Sequence, residues 1–329
     1  MASDQVEKQF IDRRLTEVST MFYERSLSKT EIANACNISI THVNRLLREA
    51  QKRGIVQISI RPPRFEHLEL RLSQRFRLHA ARIVPSTDDP DTLRSELGRE
   101  AAGYFDQNVH EGKSIGVSSG RTIFEMASFV PERPRNISIY PLNVVVDGDS
   151  SIRGVSANTV ATILWFRSRP LSKAYRIEMF FPVQSVTVLR RRATELLQSP
   201  AAKELSERIG HLDVYLLGAG ELRENSQVSS LLRSCGLDTP ELVRRGIVGD
   251  IAFNLMGKDG EAIPGGIEDL MYRIDLADLK VAASSGGKLV ILVAGGHEKI
   301  PCIRAALMAR ACNVLVTDSE TAQGLLDTD

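Results

Sequence analysis

The sequence predicts a two-part chain of the α/β class: an N-terminal all-α head with a short trailing strand, then a doubly wound, mostly parallel, Rossmann-like domain. Three observations predict it. Two N-cap signals, Ser28 and Ser39, each precede a short apolar-periodic run. Pro62-Pro63 then interrupts the chain. From Ala80 onward, short apolar runs alternate with helical patterns, which is how a parallel sheet covered by helices on both faces reads.

The head is expected at 1–63 and the α/β domain at 64–329, with 64–79 as a linker helix. Residues 4–25 place Val6, Phe10, Leu15, Val18, Met21 and Phe22 along one helical stripe. Ser28 followed by Glu31 is a capping box opening a second helix with Ile32, Ala33 and Cys36 on its apolar side. Asn37-Ile38-Ser39 supplies turn formers, and Ser39 caps a third helix with Val43, Leu46, Leu47 and Ala50 at helical spacing. Lys52, Arg53 and Gly54 close it, and Ile55 to Ile60 alternates as a strand.

Two short helices joined by a tight turn, the second polar and basic on one side, have the helix-turn-helix design. Its second helix can enter the major groove of duplex DNA. Ser39, Thr41, His42, Asn44, Arg45 and Arg48 are the candidate DNA contacts, because their side chains carry the donors and acceptors that base edges and phosphates require. Lys29, Lys52 and Arg53 add phosphate-neutralising charge. Charge is distributed to match. Residues 1–64 hold 11 Lys and Arg against 7 Asp and Glu, a net of +4, and the remainder holds 31 against 34, a net of −3.

In the second part, strands are expected at 81–85, 113–117, 137–142, 177–181, 214–217, 289–294 and 313–317. Helices are expected at 65–79, 91–110, from Ile123, and at 158–166, 200–208, 300–309 and 320–326. Four stretches end strands with glycines or charges: 116–122, 218–221, 249–251 and 295–299. Ligands of such sheets bind beyond the carboxyl ends of the strands, so these stretches are expected to converge. Ser118-Ser119-Gly120-Arg121-Thr122 can cradle an anion on backbone amides and hydroxyls at a helix start, although it matches neither the P-loop nor the GxGxxG pattern. Lys299 can reach a phosphate, and Asp250 can accept from sugar hydroxyls.

Several classes of chemistry have no support. No Ser-His-Asp order is readable, so no catalytic residue is assigned. Cys36, Cys235, Cys302 and Cys312 form no CxxC pair, and His297-Glu298 lacks a second histidine at ligand spacing, so neither metal nor disulfide is expected. No cofactor is implied. No apolar run approaches the ~18 residues of a membrane span, and the charged N-terminus carries no secretory signal, so a cytoplasmic protein without a membrane partner is expected.

The chain resembles the SorC family, the SorC/DeoR group of bacterial sugar-binding transcriptional regulators. The resemblance runs through the head and the blocks LGREAA (97–102), IGVSSGRT (115–122), VGDI (248–251), VAGGHEKIPCIRAAL (293–307) and NVLVTDSETAQGLL (313–326). It implies an effector domain folded like sugar-phosphate isomerases. It implies a phosphate held by Ser118, Ser119, Gly120, Arg121 and Thr122, with Asn158, Asp250, Gly295, Gly296 and Lys299 also lining the pocket. The chain departs from the family where Asn143-Val144-Val145 stands in place of a frequent Gly-Gly, and where Ser118-Ser119 stands in place of Gly-Trp. The resemblance implies a regulator of a carbohydrate or polyol catabolic operon that binds operator DNA as a homo-oligomer, dimer or tetramer. A small phosphorylated sugar or polyol would modulate that binding. The alternative is an isomerase- or transferase-like enzyme with an accessory helical head. A protein-interaction module without ligand is weakened by the glycine loops at strand ends.

Overall fold

In a computed structural model of the chain, the described residues are 2–56, 65–145, 155–176, 186–223, 226–234, 236–268 and 271–327. The chain divides into two compact units, Met1–Pro62 and Pro63–Asp329.

The first unit contains helix Ala2–Ser19, a π-helical turn Thr20–Glu24, and helices Lys29–Cys36 and Ile40–Lys52. Val18, Ile32, Ala33, Val43 and Leu47 form its core, with Met21, Phe22, Cys36 and Leu46 against them. Both caps form. Ser28 Oγ accepts from the Glu31 amide at 3.2 Å, and Glu31 accepts from the Ser28 amide at 2.8 Å. Ser39 Oγ accepts from the His42 amide at 3.2 Å. Asn37 ends the first of these helices with φ 54°, a left-handed conformation that asparagine tolerates. Gly54 takes φ 70° just past the last helix. Of the strand expected at Ile55–Ile60, Ile55 and Val56 lie in a bend, and 57–60 are outside the described residues.

Among the described residues the second unit carries twelve strands: β1 Ala80–Val84, β2 Ser114–Val117, β3 Ser138–Pro141, β4 Asn143–Val145, β5 Lys173–Ala174, β6 Val214–Leu217, β7 Ala219–Glu221, β8 Ile247–Ile251, β9 Asn254–Gly257, β10 Met271–Arg273, β11 Leu289–Val293 and β12 Val314–Asp318. Seven form one parallel sheet in the order β1-β12-β11-β6-β2-β3-β5. The alternation of side chains across the pleat builds two cores. Ile115, Val117, Leu216, Ile291 and Val316 face helices Pro90–Asn108, Arg121–Phe129 and Ala157–Ser168. Tyr215, Leu217, Val290, Leu292 and Leu315 face helices Glu66–Phe76, Pro200–Ile209, Leu276–Ser284, Ile300–Met308 and Ser319–Asp327. The doubly wound parallel class is therefore what the chain adopts.

Three features differ from, or add to, the sequence expectation. Helix Glu66–Phe76 lies on the sheet core, with Leu72 fully buried and Phe65, Leu68 and Phe76 packed around it. The strand expected at 177–181 lies outside the described residues, and Lys173–Ala174 forms the sheet edge beside β3. Two small antiparallel sheets are additions: β7-β8-β9 and β4-β10. The first packs with Val228, Leu232, Leu242, Phe253 and Leu255 in a separate core. It needs glycine at 249, because a Cβ there would overlap the Gly220 carbonyl and the Cys302 side chain.

Candidate functional site

β2 and β6 are neighbours at the centre of the parallel sheet. From β2 the chain winds outward through β3 to β5, and from β6 it winds the opposite way through β11 to β12. Loops leaving the two central strands therefore diverge, which opens a crevice at their carboxyl ends. A cavity of about 340 Å³ occupies it. The loop and first helical turn at Ser119–Thr122 form one wall. Gly218–Glu221 and Asp250 form a second, and Gly295, Glu298 and Lys299 a third. Arg94 and Arg223 add two further guanidinium groups.

The first wall presents the donor set that an anion requires. Helix Arg121–Phe129 begins here, so the amides of its first turn have no intrahelical acceptor and the positive end of its dipole faces the cavity. Gly120 is its N-cap, with φ 129° and ψ 151°. Only glycine adopts that backbone region readily. The Gly120 amide donates to the Val155 carbonyl at 3.0 Å. The Ser119 amide donates to Asn143 Oδ1 at 3.0 Å, and Asn143 Nδ2 donates to Ser119 Oγ at 2.9 Å.

The opposite wall is a buried carboxylate. Asp250 is 4% exposed. Its Oδ2 accepts from the Phe253 amide at 2.7 Å, while its Oδ1 has no hydrogen-bond partner among the described residues. Burial pushes the Asp250 carboxyl up to about 7. The Phe253 amide opposes the rise, neighbouring Glu221 adds to it, and Lys299 opposes it. The turn that supplies the Phe253 amide is itself unusual, because Ala252 and Phe253 have φ 47° and 62°. Two consecutive non-glycine residues in the left-handed region are an energetic cost the fold bears at this site.

The third wall is held from below. Asp318, at the end of β12, accepts from the Gly296 amide at 2.8 Å, from Thr321 and from Ser86. Burial pushes the Asp318 carboxyl up, but these hydrogen bonds outweigh it and leave the group below its ordinary range. Gly296, with φ 102°, turns the chain so that Glu298 and Lys299 reach the cavity.

Seven of the ten candidate effector residues line this cavity: Ser119, Gly120, Arg121, Thr122, Asp250, Gly295 and Lys299. Three do not. Ser118 is buried beneath, its hydroxyl accepting from the Gly218 amide at 3.2 Å. Gly296 is spent on Asp318 and Thr321. Asn158 sits in the first turn of helix Ala157–Ser168, behind the Val155 carbonyl that holds Gly120. Glu221 comes with the expected stretch 218–221, whereas no pattern in the sequence points to Arg94, Phe253 or Asn143. Asn143 was visible only as a departure from the family pattern, and the others lie on helices and hairpins with no motif of their own.

In the head, Thr41, Arg45 and Arg48 are exposed, and His42 and Asn44 half-exposed, along one side of helix Ile40–Lys52. Arg45 Nη2 lies 3.2 Å from His42 Nε2. Ser39 is committed to the cap, and Arg53 to Glu49 at 2.8 Å and Asp12 at 3.0 Å. Among the described residues, no group of His, Cys, Asp and Glu could hold a metal ion, and no helix is long and apolar enough to cross a membrane.

A family model described as "Putative sugar-binding domain" matches residues 63–327. The chain is similar along its length to the deoxyribonucleoside regulator of Bacillus subtilis (strain 168), 27% identical over 330 residues that cover 94% of this chain and 96% of the relative. It is similar to the sorbitol operon regulator of Klebsiella pneumoniae, 27% identical over 320 residues, 95% of this chain and 98% of the relative. The crystal structure of the full-length sorbitol operon regulator SorC from Klebsiella pneumoniae matches with a TM-score of 0.76 at 25% identity, covering 96% of this chain and 98% of that one.

Proposed function

We propose, for a chain that belongs to the sugar-binding domain family and its SorC group of transcriptional regulators, that the 340 Å³ cavity binds a small phosphorylated sugar or polyol and that this ligand modulates operator binding by the head. One observation carries the ligand assignment. A helix N-terminus with nearby cations faces, across one cavity, a buried carboxylate whose Oδ1 has no partner among the described residues. A phosphate suits the first. A sugar hydroxyl supplies the donor that the second lacks. The volume is at the small end for ligand sites, which matches a monosaccharide-sized compound. Units 1–62 and 63–329 are the DNA-binding and effector-binding parts of this reading.

The alternative of an isomerase-like enzyme draws on one feature, the Asp250 carboxyl near 7, which is where a general base works best. Against it, the relatives matched over nearly their full lengths are named regulators. A thermal-shift screen against phosphorylated sugars and polyols, followed by titration of each hit into the protein–DNA complex, tests the assignment. A hit must both raise Tm and change DNA affinity.

Two expectations follow for the head. Arg45→Ala should weaken specific operator binding by about 1–3 kcal/mol if Arg45 contacts a base, with little change in non-specific affinity. Footprinting at fixed salt checks this, and equal affinity of parent and variant would count against base contact. The protein should also be at least dimeric, since two-fold operators engage two heads about one helical turn or a multiple apart. Light scattering that finds only the 36.4 kDa monomer, with or without DNA, would rule that out.

A further inference from the structure

We infer that Asn143 is a positioning residue that sets the anion loop, holding Ser119 by both its backbone amide and its hydroxyl oxygen. This rests on the cavity being an anion site, as proposed above. Asn143 is 2% exposed and does not line the cavity. Its amide group engages both polar groups of Ser119: Oδ1 takes the backbone N–H at 3.0 Å, and Nδ2 donates to the hydroxyl at 2.9 Å. The Ser119 amide is thereby spent, while its hydroxyl accepts from Asn143 and keeps its own O–H. The donors left for an anion are that hydroxyl, the first-turn amides of the helix that follows and the Thr122 hydroxyl.

The backbone just before Asn143 is held from both sides. The Leu142 amide donates to the Val117 carbonyl at 2.8 Å, and the Ile274 amide donates to the Leu142 carbonyl at 2.8 Å. In the β4–β10 ladder Asn143 stands opposite Arg273. The Arg273 guanidinium donates to the Asn254 side chain, which also accepts from the Leu276 amide at 3.0 Å and borders the turn whose Phe253 amide holds Asp250. The added strand pair thus ties the phosphate wall and the carboxylate wall into one frame, and Asn143 is its link to the loop.

Three variants separate this assignment from one in which the Ser119 hydroxyl itself dominates anion binding. Asn143→Ala removes both bonds and leaves the Ser119 amide without a partner. Asn143→Asp can still accept from the Ser119 amide and hydroxyl, but places a carboxylate one residue behind the cavity. Ser119→Ala keeps the amide bond and deletes only the hydroxyl. The full chain is examined by amide hydrogen exchange at 119–121 without added anion, and by thermal shift with inorganic phosphate.

Asn143→Ala should exchange about tenfold faster in the loop and bind phosphate about tenfold more weakly. Asn143→Asp should keep the loop protected yet still lose phosphate affinity, because a like charge repels the anion. Ser119→Ala loses one hydroxyl donor but keeps the amide bond that holds the loop, so it should bind phosphate within about threefold of the parent, a change of under half a decade. Loop exchange in Asn143→Ala that matches the parent overturns the assignment, as does Ser119→Ala losing more phosphate affinity than Asn143→Ala. A parent that shows no saturable phosphate response, with the exchange result as expected, instead overturns the anion-site reading and leaves the positioning role standing.

Discussion

Asp250→Asn should abolish most of the effector response and, at alkaline pH, stabilise the protein. Both effects come from one carboxylate. Asp250 is buried, its Oδ1 lacks a partner among the described residues, and its carboxyl is pushed up to about 7 from an ordinary 3.8, chiefly by burial. The folded state therefore holds a proton that the unfolded chain has already released at the same pH. The stability from that proton is complete below about 3.8 and is lost as pH rises to about 7. At about 1.4 kcal/mol per pK unit, with allowance for relaxation around the site, the parent forfeits about 2–4 kcal/mol across that window. Asparagine does not titrate and should not show this loss.

Urea titrations at pH 5 and pH 8 measure the difference. Parent and variant curves that stay parallel would mean Asp250 ionises freely in the fold. The ligand works in the opposite direction. A sugar hydroxyl donates best to the ionised carboxylate, so effector affinity should rise with pH in the parent. The phosphate of the effector also ionises near pH 6, which affects both proteins alike. The pH dependence that disappears in Asp250→Asn belongs to Asp250. An effector response reduced less than about tenfold would show that this carboxylate does not hold the ligand.

Gly120→Ala should cost the loop its shape without any steric clash. A Cβ at 120 meets nothing within 4 Å, so the whole penalty arises from φ 129°. Holding a non-glycine residue there costs about 1–3 kcal/mol, and the loop relieves it by moving. Movement breaks the bond from the Gly120 amide to Val155 and turns the first helical amides away from the cavity. The expected result is a lower unfolding free energy together with at least tenfold weaker effector response. Gly112→Ala is the matched control. Its φ is 80°, its Cβ also meets nothing, and it lies outside the cavity. It should lose stability while titrating effector like the parent. Equal effector titration by both variants would show that the Gly120 conformation is irrelevant to the ligand.

Much of this molecule follows from local physics. The two caps at Ser28 and Ser39, the left-handed Asn37 and the closing Gly54 need only residues within a few positions of one another. That is why the head reads directly from the sequence. The strands at 114–117, 214–217, 289–293 and 314–318 are largely apolar runs bounded by loop formers, and their burial on both faces explains why they lack alternation.

What the sequence by itself determined, then, is the three helices of the head, the parallel sheet with its helices, and the four strand-end stretches that line the cavity. What only the tertiary structure decided is how those stretches share their donors. Ser118 is buried with its hydroxyl on the Gly218 amide, and the Gly296 amide is spent on Asp318, although both belong to stretches that line the cavity. Asn143 bonds Ser119 across 24 positions, and Arg273 reaches Asn254 across 19. Asp250 becomes a carboxyl titrating near neutrality only because β7, β8 and β9 exclude water around it. Helix caps and strand runs are fixed by neighbours in the chain. Desolvation and the competition for a buried N–H are fixed by neighbours in space, which no local pattern of residues encodes.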